Sequence, residues 1–324
     1  MKMKEIKRIM VILFVSVLTV TGLNAQTRND VITAYNEGAK AMQTDPQAAI
    51  TAFEKVIVLS DQVGEEAADL RQKAVQVLPG LYTKLASNAL NEKKPAPEVI
   101  RAAKTAVSVA EKYENATGKT NAQKVLAQGY NVMASEYFSR NDFPNAILAF
   151  DSLLTVNPDY LAAIYNKALI YIKQNDAASF EKTIDLYLEK VKSVNDEEKA
   201  KKASTLALEY FRGAGSKANQ ANDLDEALEL LNKSAKYGDD KDLFYYFADV
   251  YNKKKNFDSG AEYAQKGLDL ETGEAEAKAK FYYQLAVAQV GKGQTAEACA
   301  SFKNAMYGPF AEASKAQRTN LKCE

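Results

Sequence analysis

Apolar side chains recur every three or four residues through most of the chain, in runs closed by short polar turns. The stretch 121–158, NAQKVLAQGYNVMASEYFSRNDFPNAILAFDSLLTVNP, carries the pattern most clearly. Tyr130, Met133, Ala134 and Tyr137 fall on one face of a 3.6-residue helix. The polar turn Arg140-Asn141-Asp142 follows. Asp142 is suited to accept from the free amides of a helix start, and Pro144 sits where a missing N–H costs nothing. Ala146, Ile147, Phe150, Leu153 and Leu154 then line a second helix that closes at Asn157-Pro158. Two short helices with one apolar face each predict an αα-hairpin. A lone hairpin cannot cover both faces, so the pattern must recur.

It recurs. Small residues stand in equivalent places at Ala134, Ala168, Gly215, Ala248 and Ala286. A large apolar or aromatic residue precedes each by four positions: Tyr130, Ile164, Phe211, Phe244 and Tyr282. Tyr137, Tyr171 and Tyr251 follow three positions after their markers. With the second-helix sets Ala146/Phe150/Leu153/Pro158 and Ala298/Phe302/Ala305/Pro309, the chain resembles the tetratricopeptide repeat family. That resemblance implies an all-α, right-handed α-solenoid of six to seven helix pairs. The markers advance by 34, 47, 33 and 38 residues, against a family period of about 34. Two units are therefore stretched.

The clearer units span 120–158, 159–193, 197–237, 240–272 and 275–309. In 159–193, Phe180, Thr183, Ile184 and Tyr187 replace the small-aromatic pair of the second helix. In 197–237, Gly213 and Gly215 lie inside the first helix, and close approach of neighbouring backbones is the expected reason for both. Asp223-Leu224-Asp225-Glu226 resembles a capping box. Upstream, 27–61 reads as a shortened repeat, with Gly38 in its first helix and Ala49, Phe53, Val56 and Ile57 in its second, opened by Asp45-Pro46. Residues 64–116 are less regular. Leu70, Ala74, Val77, Leu78, Leu81, Leu85 and Leu90 form a long stripe, with a kink expected at Pro79-Gly80. A break at Lys94-Pro95-Ala96-Pro97 precedes a helix with Val99, Ala103, Ala106, Val107 and Ala110. Residues 310–322 predict one further helix covering the open end of the array. The expected domains are divergent repeats over 26–116, the repeat array over 117–309, and a capping helix and tail over 310–324.

Composition narrows the function more than the fold. The 324 residues carry 42 basic and 42 acidic side chains and no histidine. Zero net charge argues against a nucleic-acid partner. The absence of histidine removes His-based acid–base catalysis, His-containing triads and His metal sites. With two cysteines a four-Cys zinc site is impossible. No phosphate loop or dinucleotide fingerprint is present, and Asp239-Asp240-Lys241-Asp242 lacks calcium-loop spacing. Residues 1–25 read as a signal peptide, with Lys2, Lys4, Lys7 and Arg8 before an apolar run from Ile9 to Val20. Cleavage is expected after Leu23-Asn24-Ala25, with a cut after Gly22 as the alternative because Leu23 is large for its place. An uncleaved anchor is the rival, disfavoured because the run falls short of the ~20 residues a span needs. Cleavage removes four of the 42 basic groups and, in Glu5, one of the 42 acidic groups, leaving a net charge of −3. The expected location is periplasmic or secreted, with membrane contact only through the uncleaved signal.

In the tetratricopeptide family the first helices line a concave groove. The resemblance places Asn131, Tyr165, Arg212, Tyr245 and Tyr283 on it, side chains suited to an extended peptide or a partner helix. The carboxylate clamp of chaperone-binding members does not carry over, because its places hold Ser135, Leu169, Asp249, Gln128, Glu209 and Asp242, with only Asn166 matching. Cys299 and Cys323 lie on helices expected to pack antiparallel. They either form a disulfide, which an exported protein permits, or stay as a buried thiol and a tail thiol. Asn115-Ala116-Thr117 fits a glycosylation acceptor pattern. The sequence thus predicts a non-catalytic scaffold, without cofactor or metal, that binds a protein or peptide. The alternative is an exported module for a small molecule or glycan, which would require a closed apolar pocket.

Overall fold

A computed structural model describes residues 26–324. The signal peptide expected over 1–25 lies outside the described residues. Fifteen α-helices and no strand are found among them. They are α1 (Arg28–Ala41), α2 (Pro46–Val63), α3 (Ala68–Asn91), α4 (Ala96–Lys112), α5 (Ala116–Ser139), α6 (Phe143–Val156), α7 (Leu161–Gln174) and α8 (Ala177–Ser193). There follow α9 (Glu197–Gln220), α10 (Leu224–Ala235), α11 (Lys241–Lys253), α12 (Phe257–Leu270), α13 (Ala275–Gly291), α14 (Thr295–Asn304) and α15 (Ala311–Asn320). Six pairs of consecutive helices pack as hairpins, α1/α2 and α3/α4 in one part and α7/α8, α9/α10, α11/α12 and α13/α14 in the other, the all-α architecture the hydrophobic pattern predicts. The chain divides into two compact units, and the division falls inside α5, between Met133 and Ala134.

In the first unit, α1 packs on α2, α2 on α3 and α3 on α4. Its core joins Val31 and Ala34 of α1, Ile50, Phe53 and Val56 of α2, and Leu70, Ala74, Leu78 and Leu81 of α3. Helix α3 runs unbroken through the buried Pro79. In α4 the buried stripe is Ala96, Val99, Ile100, Ala103, Ala106 and Ala110, mostly small residues that admit close packing.

In the second unit each helix from α6 to α15 packs on the next or next but one, and the first helices α9, α11 and α13 also touch in sequence. All five markers are buried. The core is plugged at regular intervals by phenylalanines: Phe150, Phe180, Phe211, Phe247, Phe281 and Phe302. In α8, Phe180, Ile184 and Tyr187 are buried, so the missing small-aromatic pair is replaced by another set of large side chains. The two glycines of α9 differ. A Cβ on Gly215 would stand 2.9 Å from Leu231 of α10, so close approach explains it, whereas Gly213 faces open space and has no such reason.

The turns repeat one chemistry. Asn141, Asn175, Asn195 and Asn222 all take the left-handed conformation, which asparagine tolerates better than most residues. Asp142, Asp176, Asp196 and Asp223 follow and cap the next helix, each accepting from the amide three residues on. Asp45 does the same before Pro46. At the C-terminus a 3-10 turn, Gly308–Phe310, leads into α15 on α14. Cys299 and Cys323 are joined as a disulfide, their Cα atoms 5.6 Å apart.

Candidate functional site

Four of the five residues placed on the groove by resemblance belong to first helices of the second unit: Tyr165 on α7, Arg212 on α9, Tyr245 on α11 and Tyr283 on α13. All four are half-buried. Asn131, also half-buried, belongs to the part of α5 assigned to the first unit.

Each tyrosine leans on a ring of the fold. Tyr165 lies 5.1 Å, centroid to centroid, from Tyr187. Tyr245 meets Phe281 edge-on at 6.3 Å, with the Lys280 ammonium 5.5 Å from its ring centre. Tyr283 is held between Phe302 at 5.7 Å and Phe310 at 5.4 Å. Offset and edge-to-face pairs of this kind favour one ring orientation. Burial, reinforced by the Asp249 carboxylate, pushes the Tyr245 hydroxyl up to about 12, against the pull of a hydrogen bond with Gln284. Tyr245 is therefore a neutral group at any physiological pH. Arg212 is already engaged: its guanidinium pairs with Asp240. Asp240 also caps α11 by accepting from the Leu243 amide at 2.7 Å. The arginine ties α9 to the start of α11 and has little charge left for a ligand.

Between these residues runs a polar ladder that sequence reasoning missed. Asn219 of α9 donates to Asp249 of α11 at 2.6 Å, and Gln284 of α13 donates to the other oxygen of Asp249 at 3.0 Å. Lys253 pairs with Asp249 at 2.9 Å and donates to Asn219 at 2.8 Å. Asn252 donates to the Gln284 side chain at 2.9 Å. Buried polar groups joined in this way fix the register of three neighbouring helices. A signal existed, since Asn219 and Asn252 each stand four residues after a marker.

Beside Tyr165 opens a cleft of about 530 Å³, lined also by Glu198, Lys201, Lys202, Thr205, Leu206 and Glu209 of α9. Apart from Tyr165 it is built wholly from α9, whose N-terminal turns are the surplus length of the stretched unit. Helix α9 carries Gly215 as its nineteenth residue, whereas α7 carries Ala168 as its eighth. Helix position alone did not reveal that this surplus would face Tyr165. The floor is apolar, from Leu206 and the Tyr165 ring. The rim is charged in both signs, with Lys202 paired to Glu198 at 2.6 Å.

The residues around Asp239 serve the fold. Asp242 pairs with Lys280 at 2.5 Å, and Asp240 is committed as described. Asn115 accepts from the Gly118 amide at 2.7 Å at the start of α5. Among the described residues no cluster of metal-ligating side chains is found, and no helix is long and apolar enough to cross a membrane.

No family model matches the chain, and no curated protein is similar to it in sequence. Among solved structures it is similar to a tetratricopeptide repeat protein from Parabacteroides merdae, at 18% identity over 91% of this chain and 98% of the other, with a TM-score of 0.30. The MamA protein matches at 18% identity over 61% of this chain and 96% of its own, with a TM-score of 0.34. YrrB, described as a TPR protein with an unusual peptide-binding site, matches at 16% identity over 59% of this chain and 92% of its own, with a TM-score of 0.35. The helix contacts described above carry the fold independently of these matches.

Proposed function

We propose that the chain is an exported, non-catalytic scaffold that binds a peptide or a helix of a protein partner along the first helices of its second unit. One observation carries this reading: a surplus of α9 faces Tyr165 and makes an open, apolar-floored cleft with a mixed-charge rim. Tyr245 on α11 and Tyr283 on α13 offer further rigid, half-exposed amphipathic rings. Such rings lose little conformational freedom on binding, which is why they serve as anchors. The cleft is open along one side, the form of a groove rather than of the enclosed pocket that a small-molecule or glycan module would need.

Export is supported by the charged and apolar runs of residues 1–25 and by the Cys299–Cys323 disulfide, a bond that persists in oxidising compartments. The cell envelope or periplasm is therefore the compartment in which we place the partner. The test uses residues 26–324 as bait in envelope extracts, alongside a variant with Tyr165, Tyr245 and Tyr283 all changed to alanine and checked for retained helicity. Loss of specific partners from the folded variant is expected. Identical recovery by both chains would refute the groove. Intact mass of the native protein is expected to begin at Gln26, and a mass that retains residues 1–25 would replace the cleaved signal with the uncleaved anchor.

A further inference from the structure

The C-terminal segment is fastened at one corner. Helix α15, AEASKAQRTN, buries only Ser314, and that hydroxyl has no hydrogen-bond partner. A buried hydroxyl without a partner weakens attachment rather than strengthening it. A ten-residue helix without an apolar face is also marginal in water by itself. What holds it lies at its far end. Cys323 is bonded to Cys299 of α14, and the Arg318 guanidinium donates to the Cys299 carbonyl and, at 2.8 Å, to the Glu324 carbonyl. The near end of the same segment contributes Phe310, which packs on Tyr283 at 5.4 Å. A covalent clasp and a groove residue are thus linked through one short, weakly buried segment.

We propose that residues 308–324 form a redox-released strap that sets the orientation of Tyr283. Oxidised, the strap holds Phe310 against Tyr283 and pins the ring between Phe302 and Phe310. Reduction by a protein or small-molecule dithiol breaks the S–S bond through a mixed disulfide. The two cysteine sulfurs gain two electrons and two protons, and the dithiol leaves as its own disulfide. Helix α15 then frays, Phe310 leaves Tyr283, and that end of the groove loses its fixed anchor. Tyr165, supported by Tyr187, is unaffected. The consequence for binding rests on the groove reading above, but the release itself does not.

The test compares residues 26–324 oxidised and after dithiothreitol treatment, with freed thiols alkylated. Hydrogen exchange across 311–320 is expected to quicken at least tenfold on reduction. Hydroxyl-radical footprinting is expected to rise severalfold at Tyr283 and Phe310 and to stay level at Tyr165. A Cys299→Ser/Cys323→Ser chain is expected to behave as the reduced form with or without dithiothreitol. Unchanged exchange across 311–320 once both thiols are alkylated would overturn the strap. Faster exchange there with no change at Tyr283 would overturn its link to the groove. Neither readout involves a partner, so failure of the partner-binding experiment leaves this result standing, and the reverse also holds.

Discussion

Helices α3 and α9 are both 24 residues long and spend that length differently. Helix α3 buries residues from its first turn to its last, Leu70 through Ala89, and its surplus goes into the core of the first unit. In α9 the buried stripe begins only at Ala203 and continues to Asn219. The residues before it, Glu197 to Lys202, are mostly charged and solvated, and they wall the cleft beside Tyr165. Extra helix that is apolar on one face extends a core. Extra helix that is charged extends past the core and leaves a surface on which function can be built.

The largest expected effect tests whether the buried halves of both helices carry similar weight. Phe211→Ala in α9 removes a fully buried ring and should cost roughly 3–5 kcal/mol, and Leu78→Ala in α3 roughly 2–5 kcal/mol. Urea unfolding followed by circular dichroism measures both. A cost below about 1 kcal/mol for Phe211→Ala would mean that α9 is not anchored where its contacts place it.

Much of this was legible beforehand, and the failures have a physical cause. The markers Ala134, Ala168, Gly215, Ala248 and Ala286 located the hairpins because a small residue is required wherever two helices cross closely. The α3/α4 hairpin was harder to read because leucines and alanines, rather than one ring per hairpin, fill its core, so no single position stands out. The 47-residue gap between Ala168 and Gly215 marks a stretched unit without showing where the extra length lies. The turn chemistry resolves it: Asn175-Asp176, Asn195-Asp196 and Asn222-Asp223 each put a left-handed residue before a cap and so mark the starts of α8, α9 and α10. Read as a repeated signal, that dipeptide would have shown α9 starting early, and with it the surplus that makes the cleft. The groove residues were harder still. Position in the repeat puts Tyr165, Tyr245 and Tyr283 half-buried on α7, α11 and α13, but only side-chain geometry reveals that Arg212 is taken by Asp240.

A smaller effect sharpens the division within α9, at two glycines two positions apart. Gly215→Ala places a methyl 2.9 Å from Leu231 and should cost roughly 1–3 kcal/mol by overpacking. Gly213→Ala meets nothing and should stabilise the helix by up to about 1 kcal/mol. Opposite signs in urea midpoints are expected. Equal destabilisation by both would mean that Gly213 also faces a neighbour.

The smallest effect concerns the solvated turns alone. A side-chain hydrogen bond with Lys199, aided by the Lys199 amide, holds the Asp196 carboxyl below the usual range, and a side-chain hydrogen bond with Lys202 does the same for Glu198. Both groups bind their protons more weakly folded than unfolded. Their support is therefore complete above the ordinary carboxylate range, near pH 4, and is lost as pH falls through the lowered values. Because both are exposed, the loss should show as local fraying rather than as global unfolding. Between pH 5 and 3, hydrogen exchange corrected for its intrinsic pH dependence should quicken across 197–203. Across 74–82 of α3, where Ala74, Leu78 and Leu81 are buried, it should hold steady. Equal acceleration in both segments would mean that the N-terminal turns of α9 are as firmly packed as the middle of α3, and the contrast between the two long helices would fail at its charged end.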